Sequence, residues 1–204
     1  MNLCVPDNKK ACAACCGIMN HKDISKGNLD KFLYDGYFRK ENAWRYQIEG
    51  CYPEQSTDCR DYSTHICPFV GFTDKESPGC LIHPLFTGEE QRDMALFGAE
   101  TCINYSCPAM TIFSEEQKAL IIKYIDDWYL YTIAIIDPFS TIYIIDLLKR
   151  DNLMDDLFGE KLNQLLQKHS KNLNLYEGTI FCYSIDEYKM EQNRFFIKTI
   201  FSEL

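Results

Sequence analysis

Long uncharged apolar segments are missing from this chain of 204 residues. Its most apolar region, residues 119–148, is interrupted by five charged side chains, and the longest uncharged run within it is Trp128–Ile136. A membrane-spanning helix requires about 20 mostly uncharged residues. The region is therefore predicted to form a pair of core helices, and no membrane association is expected.

A secretory signal is missing from the start of the chain as well. Met1-Asn2-Leu3-Cys4 has no basic n-region, and no apolar h-region follows it. Disulfide frameworks belong to secreted domains, whereas cytosolic thiols are kept reduced. We therefore expect a cytoplasmic protein in which a high density of cysteines indicates metal or redox chemistry.

The chain also lacks a basic half. Its formal net charge is −9, and both halves contribute to it about equally. Binding to nucleic acid phosphates is therefore not favoured, because such binding depends on clustered lysine and arginine. The partner is instead expected to be a protein or a small molecule, whose identity the sequence does not give.

Familiar catalytic motifs are absent from the sequence. It contains no Gly-x-Ser-x-Gly, no Gly-x4-Gly-Lys-Ser/Thr, no His-Glu-x2-His and no Gly-x-Gly-x2-Gly. The deaminase pattern of His-x-Glu followed by Pro-Cys-x2-Cys is absent too. No catalytic residue is therefore assigned from the sequence.

Cysteine is what the chain has in abundance, since ten of its eleven cysteines lie within the first 107 residues. The first four form the pattern Cys4-x7-Cys12-x2-Cys15-Cys16. The two-residue spacing of Cys12 and Cys15 favours a metal chelate. It favours a redox dithiol less, because no strand precedes it as in thioredoxin-like proteins. Successive side chains point apart, so Cys15 and Cys16 are not expected to bind one zinc ion easily.

Further thiols follow at chelating spacings. Cys80-x2-His83 repeats the short spacing with an imidazole, although His83 is equally well explained as a capping histidine in a loop. Cys102-x4-Cys107-Pro108 is compatible with a chelate turn, and Cys67 also precedes a proline, as some iron–sulfur ligands do. The number of possible ligands exceeds the four of a single zinc site. It allows two zinc ions, or one iron–sulfur cluster with spare thiols.

The remaining cysteines and histidines are given structural interpretations. Cys182 lies in an apolar stretch and is predicted to be a buried small side chain. His21 and His65 are predicted to be surface or turn histidines, and His169 is predicted to lie at a helix end, where a cation is favoured.

The predicted fold is mainly α, with an irregular, metal-stabilised, cysteine-rich amino-terminal half and little β structure. We expect two domains, a metal-binding domain at 1–112 and a helical domain at 113–204. Bound metal would supply cross-links that the irregular half lacks. Helices are predicted at 23–42, 88–97, 114–131, 137–149 and 154–169, and a strand at 179–183. The pattern at 187–201 fits either a helix or a strand, and a helix is preferred.

The arrangement resembles the bacterial cysteine-cluster proteins described as zinc- or iron-chelating domains, a grouping that includes part of the flagellin lysine-N-methylases. The resemblance covers about residues 1–110. It is carried by the early cysteines together with Cys67-Pro68-Phe69-Val70-Gly71-Phe72, Gly79-Cys80-Leu81-Ile82-His83-Pro84 and Tyr105-Ser106-Cys107-Pro108. The resemblance implies that the metal ligands are Cys4, Cys12, Cys15, Cys16, Cys80, Cys102 and Cys107.

Two functions are therefore expected from the sequence. The first is a metal-binding protein whose clustered cysteines, Cys67 and His83 included, hold zinc or, as second choice, an iron–sulfur centre. The second is a protein-modifying or redox enzyme with a functional iron–sulfur cluster and a pocket between the two halves.

Overall fold

The computed structural model describes residues 1–7, 10–48, 66–73, 77–95, 97–151, 153, 155–171 and 173. Within these residues the chain is mainly α-helical and contains a two-stranded sheet, which confirms the predicted mainly α class with little β. Several predicted features lie outside the described residues: the strand 179–183, the segment 187–201, His65 and Cys182. The cysteines Cys51 and Cys59 also lie outside them.

The chain divides into two compact units. We call residues 13–106 the cysteine unit, and residues 1–12 with 107–204 the helical unit. The division expected from the sequence, at 112/113, differs in that it places residues 1–12 and 107–112 with the cysteine-rich half.

Three polar contacts show why the first twelve residues lie with the helices. The amino group of Met1 forms an ion pair of 3.0 Å with Glu115. The Tyr131 hydroxyl donates a hydrogen bond of 2.8 Å to the carbonyl oxygen of Leu3. Lys10, which is buried, lies 3.2 Å from a carboxylate oxygen of Asp126.

The helical unit contains five described helices, and the second of them begins at a clear capping signal. Ser114 accepts a hydrogen bond from the Gln117 amide, and the Gln117 side chain accepts one from the Ser114 amide, which confirms the predicted capping box. The helices are α5 (Ala109–Ile112), α6 (Glu115–Tyr124), α7 (Trp128–Ile136), α8 (Pro138–Arg150) and α9 (Asp155–Ser170).

The helix predicted to run on to Tyr131 is instead two helices, so that prediction is wrong. Asp127 accepts hydrogen bonds of 3.0 Å from the amides of Tyr129 and Leu130, and so begins α7 after a break. Every residue of α7 is buried, as expected for a core helix.

The helices predicted at 137–149 and 154–169 are confirmed as α8 and α9. Asp137 caps α8 by accepting a hydrogen bond of 3.1 Å from the Ser140 amide, with Pro138 in the first turn. In the described parts of the chain no single helix is long and apolar enough to cross a membrane. The pair α7–α8 reaches that length and composition only together, and it is bent by 104°.

The cysteine unit is built from short elements. Its helices are α1 (Lys26–Tyr34), α2 (Gly36–Ile48), α3 (Pro84–Thr87) and α4 (Gly98–Asn104), with single 3₁₀ turns at Ala14–Cys16, Ile18–Asn20 and Arg92–Met94. Strands β1 (Val70–Phe72) and β2 (Pro78–Cys80) pair antiparallel, with Val70 opposite Cys80 and Phe72 opposite Pro78.

Two helix predictions in this unit need correction. The helix predicted at 23–42 is broken at Asp35 into α1 and α2. The helix predicted at 88–97 is wrong, because Gly88 has a φ of +78° and ends α3 rather than beginning a helix.

A close backbone approach joins α2 to β1. A Cβ atom added to Gly36 would lie 2.6 Å from the Cα atom of Gly71, and one added to Gly71 would lie 2.9 Å from the Cα atom of Gly36. Only glycine permits this separation at both positions. The amino-terminal end of α2 is therefore held directly against the strand that follows Cys67.

Candidate metal centre

Cys15 and Cys16 lie in the 3₁₀ turn that opens the cysteine unit. The turn ends at Gly17, whose φ is +77° and whose amide donates a hydrogen bond of 2.9 Å to Ala14. The Cys16 thiol donates a hydrogen bond to the Cys15 sulfur. This bond lowers the pKa of Cys15 and, together with burial, raises the pKa of Cys16 well above its usual range.

Cys67 lies in the turn before β1 and is joined to that first turn. Its amide donates a hydrogen bond of 2.8 Å to the Cys16 carbonyl oxygen, and its own carbonyl accepts one of 3.3 Å from Val70. The amide of Phe69 points at the Cys67 sulfur. Burial raises the pKa of the Cys67 thiol to about 12, and the neighbouring charges of Cys80 and Cys102 act in the same direction.

Cys80 ends β2 and repeats this local arrangement. The amide of Ile82, two residues further on, points at the Cys80 sulfur, as the amide of Phe69 does at Cys67. Burial is the main reason why the pKa of Cys80 is raised. Both cysteines pack against a small apolar cluster formed by Phe69, Ile82 and Ala95.

Cys102 lies on α4 and completes a set of five neighbouring thiols. Loss of water around its sulfur raises its pKa, and the charge of Cys15 adds to the rise. Arg92 opposes this effect at both Cys102 and Cys80. Its guanidinium is held by Glu90, whose Oε1 atom lies 2.7 Å from Nε, and this contact lowers the pKa of Glu90 to about 2.

His83 has the capping role that was one of its two predicted interpretations. Its Nδ1 atom accepts a hydrogen bond of 3.2 Å from the Leu85 amide, and Pro84 begins α3 directly after it. Burial lowers the pKa of the imidazole, and the positive charge of Arg92 lowers it further.

Cys4, Cys12 and Cys107 belong to the helical unit. The Cys12 amide donates a hydrogen bond of 2.9 Å to the Cys4 carbonyl oxygen. Burial is the main reason why the pKa of Tyr131 is raised, and the neighbouring Cys12 and Cys4 thiols raise it further. Cys107 precedes α5, where its carbonyl oxygen accepts a hydrogen bond of 2.9 Å from Met110.

The nine predicted ligands are thus divided between the units. The cysteine unit holds Cys15, Cys16, Cys67, Cys80, Cys102 and His83, and the helical unit holds Cys4, Cys12 and Cys107. Across the described residues, no three His, Cys, Asp or Glu side chains are grouped as the ligands of a metal ion. The five thiols of the cysteine unit lie near enough to change one another's pKa, but they do not stand at ligand distances around one point.

Two residues near this set were misjudged or missed from the sequence. His21, predicted to be a surface or turn histidine, is buried, and its ring packs edge-on against Phe32 with centroids 4.4 Å apart. Arg39 was not considered, yet it binds the backbone around Cys67. Its partners lie 29 and 31 residues further along the chain, so no local sequence motif predicts the contact.

The chain matches no family model, no curated protein and no solved structure. The resemblance to cysteine-cluster proteins therefore rests on the quoted residues alone.

Proposed function

We propose that this chain is a metal-binding protein whose principal centre lies in the cysteine unit. The ligands would be Cys67, Cys80, Cys102 and one or both of Cys15 and Cys16. Zinc is the first choice and an iron–sulfur cluster the second, because sets made of thiolates select these soft-ligand centres.

The observation that carries the proposal is the gathering of five thiols from four separate segments of one small unit. Each of Cys16, Cys67, Cys80 and Cys102 has its pKa changed by the charge of at least one other cysteine of the set. Removing the protons from several of these neighbouring thiols without a cation would place negative charges that repel one another side by side. A bound metal would remove that repulsion, and it would draw the sulfurs to ligand distances.

The turns at Cys67 and Cys80 support the same proposal. In both, the amide two residues after the cysteine points at its sulfur. An amide directed at sulfur stabilises the thiolate, which is the form that binds metal. Arg92 adds a positive charge beside Cys80 and Cys102, and so offsets part of the negative charge of a metal–thiolate centre.

The other predicted ligands belong to a second, separate proposal. Cys4, Cys12 and Cys107 in the helical unit would serve a second ion, which the number of thiols allows, and His83 would be an additional ligand within the cysteine unit. Because His83 already uses Nδ1 to cap α3, it would bind metal only through Nε2.

The test is metal analysis of protein purified without oxygen. Stoichiometric zinc in a colourless protein would support the first choice. Iron with acid-labile sulfide and visible absorption would support a cluster, and with it the alternative of a redox or protein-modifying enzyme. Cys67→Ser and Cys80→Ser should lose most of the metal, and Cys182→Ser should retain it. A protein without metal, or one whose cysteines form disulfides under reducing conditions, would contradict the proposal.

A further inference from the structure

Arg39, on α2, is bound to the backbone on both sides of Phe69, within the Cys67 turn. Its Nε atom donates a hydrogen bond of 3.3 Å to the carbonyl oxygen of Pro68, and Nη2 donates one of 2.7 Å to that of Val70. Nη1 donates to the carbonyl oxygen of Phe32. One guanidinium therefore joins α1, the Cys67 turn and β1.

The guanidinium is also held from one face by an aromatic ring. Its central carbon lies 3.6 Å from the centroid of the Phe32 ring, within the range of a cation–π contact. The same ring packs against the buried His21. Phe32 therefore fixes the position of the guanidinium, so that its Nε and Nη2 donors point at the Cys67 turn.

We propose that Arg39 is a positioning residue for the metal ligand Cys67. The two carbonyls that it binds, those of Pro68 and Val70, flank Phe69, whose amide points at the Cys67 sulfur. Holding both carbonyls fixes the peptide planes of the turn and keeps that amide directed at the sulfur. This inference rests on the proposed function, since the thiol so oriented is a proposed metal ligand.

Lysine cannot replace arginine in this role. The planar guanidinium presents several donors in a fixed fork, whereas an ammonium is a single point charge on a flexible stem. Arg39→Lys keeps the charge and removes the simultaneous contacts to Pro68 and Val70. Loss of an outer contact that orients a metal ligand typically lowers metal affinity about 10- to 100-fold.

The first experiment measures zinc affinity of the full chain by competition with a chromophoric chelator. Arg39→Lys should bind zinc about 10- to 100-fold more weakly than the unchanged protein. Arg150→Lys, at an exposed arginine that ends α8, should bind it normally. In the cobalt-substituted protein, Arg39→Lys should also alter the thiolate-to-metal absorption bands. Unchanged affinity and unchanged bands would overturn the inference.

A second measurement separates this inference from the proposed function. Hydrogen exchange of the Phe69 and Val70 amides is followed by NMR in metal-free protein. Faster exchange in Arg39→Lys, with Arg150→Lys unchanged, supports the positioning role even if the protein proves to bind no zinc. Equal exchange in all three proteins overturns it.

A milder variant covers the case in which Arg39→Lys does not fold. Phe32→Leu removes the aromatic face below the guanidinium and leaves the three carbonyl partners in place. Its zinc affinity and amide exchange should lie between those of the unchanged protein and Arg39→Lys. A Phe32→Leu protein identical to the unchanged one in both measurements would count against the role assigned to Arg39.

Discussion

The amide nitrogen of Cys67 lies 2.8 Å from the carbonyl oxygen of Cys16. This hydrogen bond joins two segments that are about fifty residues apart in the sequence, and it places their thiols in one neighbourhood. Since backbone atoms make the contact, it does not depend on the protonation of either sulfur. The neighbourhood of the two thiols is therefore set by the fold of the cysteine unit.

The first prediction concerns the stability that bound metal provides. Cys15→Ser should lower the melting temperature of the metal-loaded protein markedly, because losing a ligand forfeits much of the folding free energy of a structural metal, about 10–16 kcal/mol for zinc in small domains. Cys182→Ser, at the isolated cysteine, should cost no more than about 2 kcal/mol, as a small apolar-to-polar change does. Equal melting shifts in the two variants would contradict the assignment.

The second prediction concerns the order in which the thiols react. The thiolate is the reactive form, so a lowered pKa speeds alkylation and a raised pKa slows it. In metal-free protein at pH 8, iodoacetamide should modify Cys15 first, since it is exposed and its pKa is lowered. Cys67, whose pKa is raised to about 12, should react with iodoacetamide more slowly than Cys15. Peptide mass spectrometry after a short pulse measures both.

The control for this order is the same pulse in concentrated denaturant. Unfolding removes the hydrogen bond and the burial that separate the two pKa values, so the rates should become similar. Faster labelling of Cys67 than of Cys15 in the folded protein would show that the thiol environments differ from those described.

The third prediction tests the contact between α2 and β1. Gly36→Ala should destabilise the protein by roughly 1–3 kcal/mol, as overpacking does, because the new Cβ atom would meet the Cα atom of Gly71 at 2.6 Å. It should also weaken metal binding, because it pushes Arg39 away from the Cys67 turn. Urea denaturation and chelator competition measure the two effects.

Gly27→Ala provides a matched control for Gly36→Ala. Gly27 lies in α1, and a Cβ atom there would have no neighbour within 4 Å. Alanine is favoured over glycine in helices by up to about 1 kcal/mol, so this variant should be as stable as the unchanged protein or more stable. Similar losses in both variants would exclude the contact as the cause.

Local signals in the sequence were sufficient for the starts of α6 and α8, but they did not predict α5 or the break before α7. Ser114 and Gln117 predict the start of α6, and Asp137 and Pro138 predict the start of α8. These signals are local because a cap is made by residues within one turn. Gly88 was misread because Thr87 as an N-cap, with Glu89 and Glu90 in a first turn, was weighed above the tendency of glycine to end a helix at positive φ.

The candidate centre could be predicted only as a list of residues. The spacings around Cys15 and Cys80 predict chelating pairs with Cys12 and His83, yet Cys12 and Cys15 fall in different units. The hydrogen bond from Cys67 to Cys16 and the contact of Arg39 with Val70 depend on tertiary packing, which no local spacing predicts. His21 was misjudged for the same reason, since its burial is created by Phe32 and other distant neighbours.

The fourth prediction concerns a buried polar pair in the helical unit. His169 Nε2 lies 2.9 Å from Asp137 Oδ2, and both side chains are buried. Asp137→Ala should lower the free energy of unfolding by about 2–4 kcal/mol. A lost helix cap costs about 1 kcal/mol, and a buried imidazole left without its hydrogen-bond partner costs about 1–3 kcal/mol. Asp127→Ala, at the aspartate that caps α7, leaves the contact between His169 and Asp137 in place and should cost only about 1 kcal/mol. Equal unfolding free energies for the two variants would show that the contact with His169 contributes nothing.

The fifth prediction is that metal binding depends steeply on pH. The pKa of Cys67 is raised to about 12, and those of Cys80 and Cys102 are raised as well, so these thiols carry their protons at pH 7 in the metal-free protein. Each must lose its proton to bind zinc, and the apparent affinity should therefore rise up to about tenfold per pH unit for every thiol deprotonated. Zinc titration in a weakly buffered solution should release about one proton per ligating thiol. Zinc binding that releases no protons and has the same affinity from pH 6.5 to 8 would mean that these thiols are not the ligands.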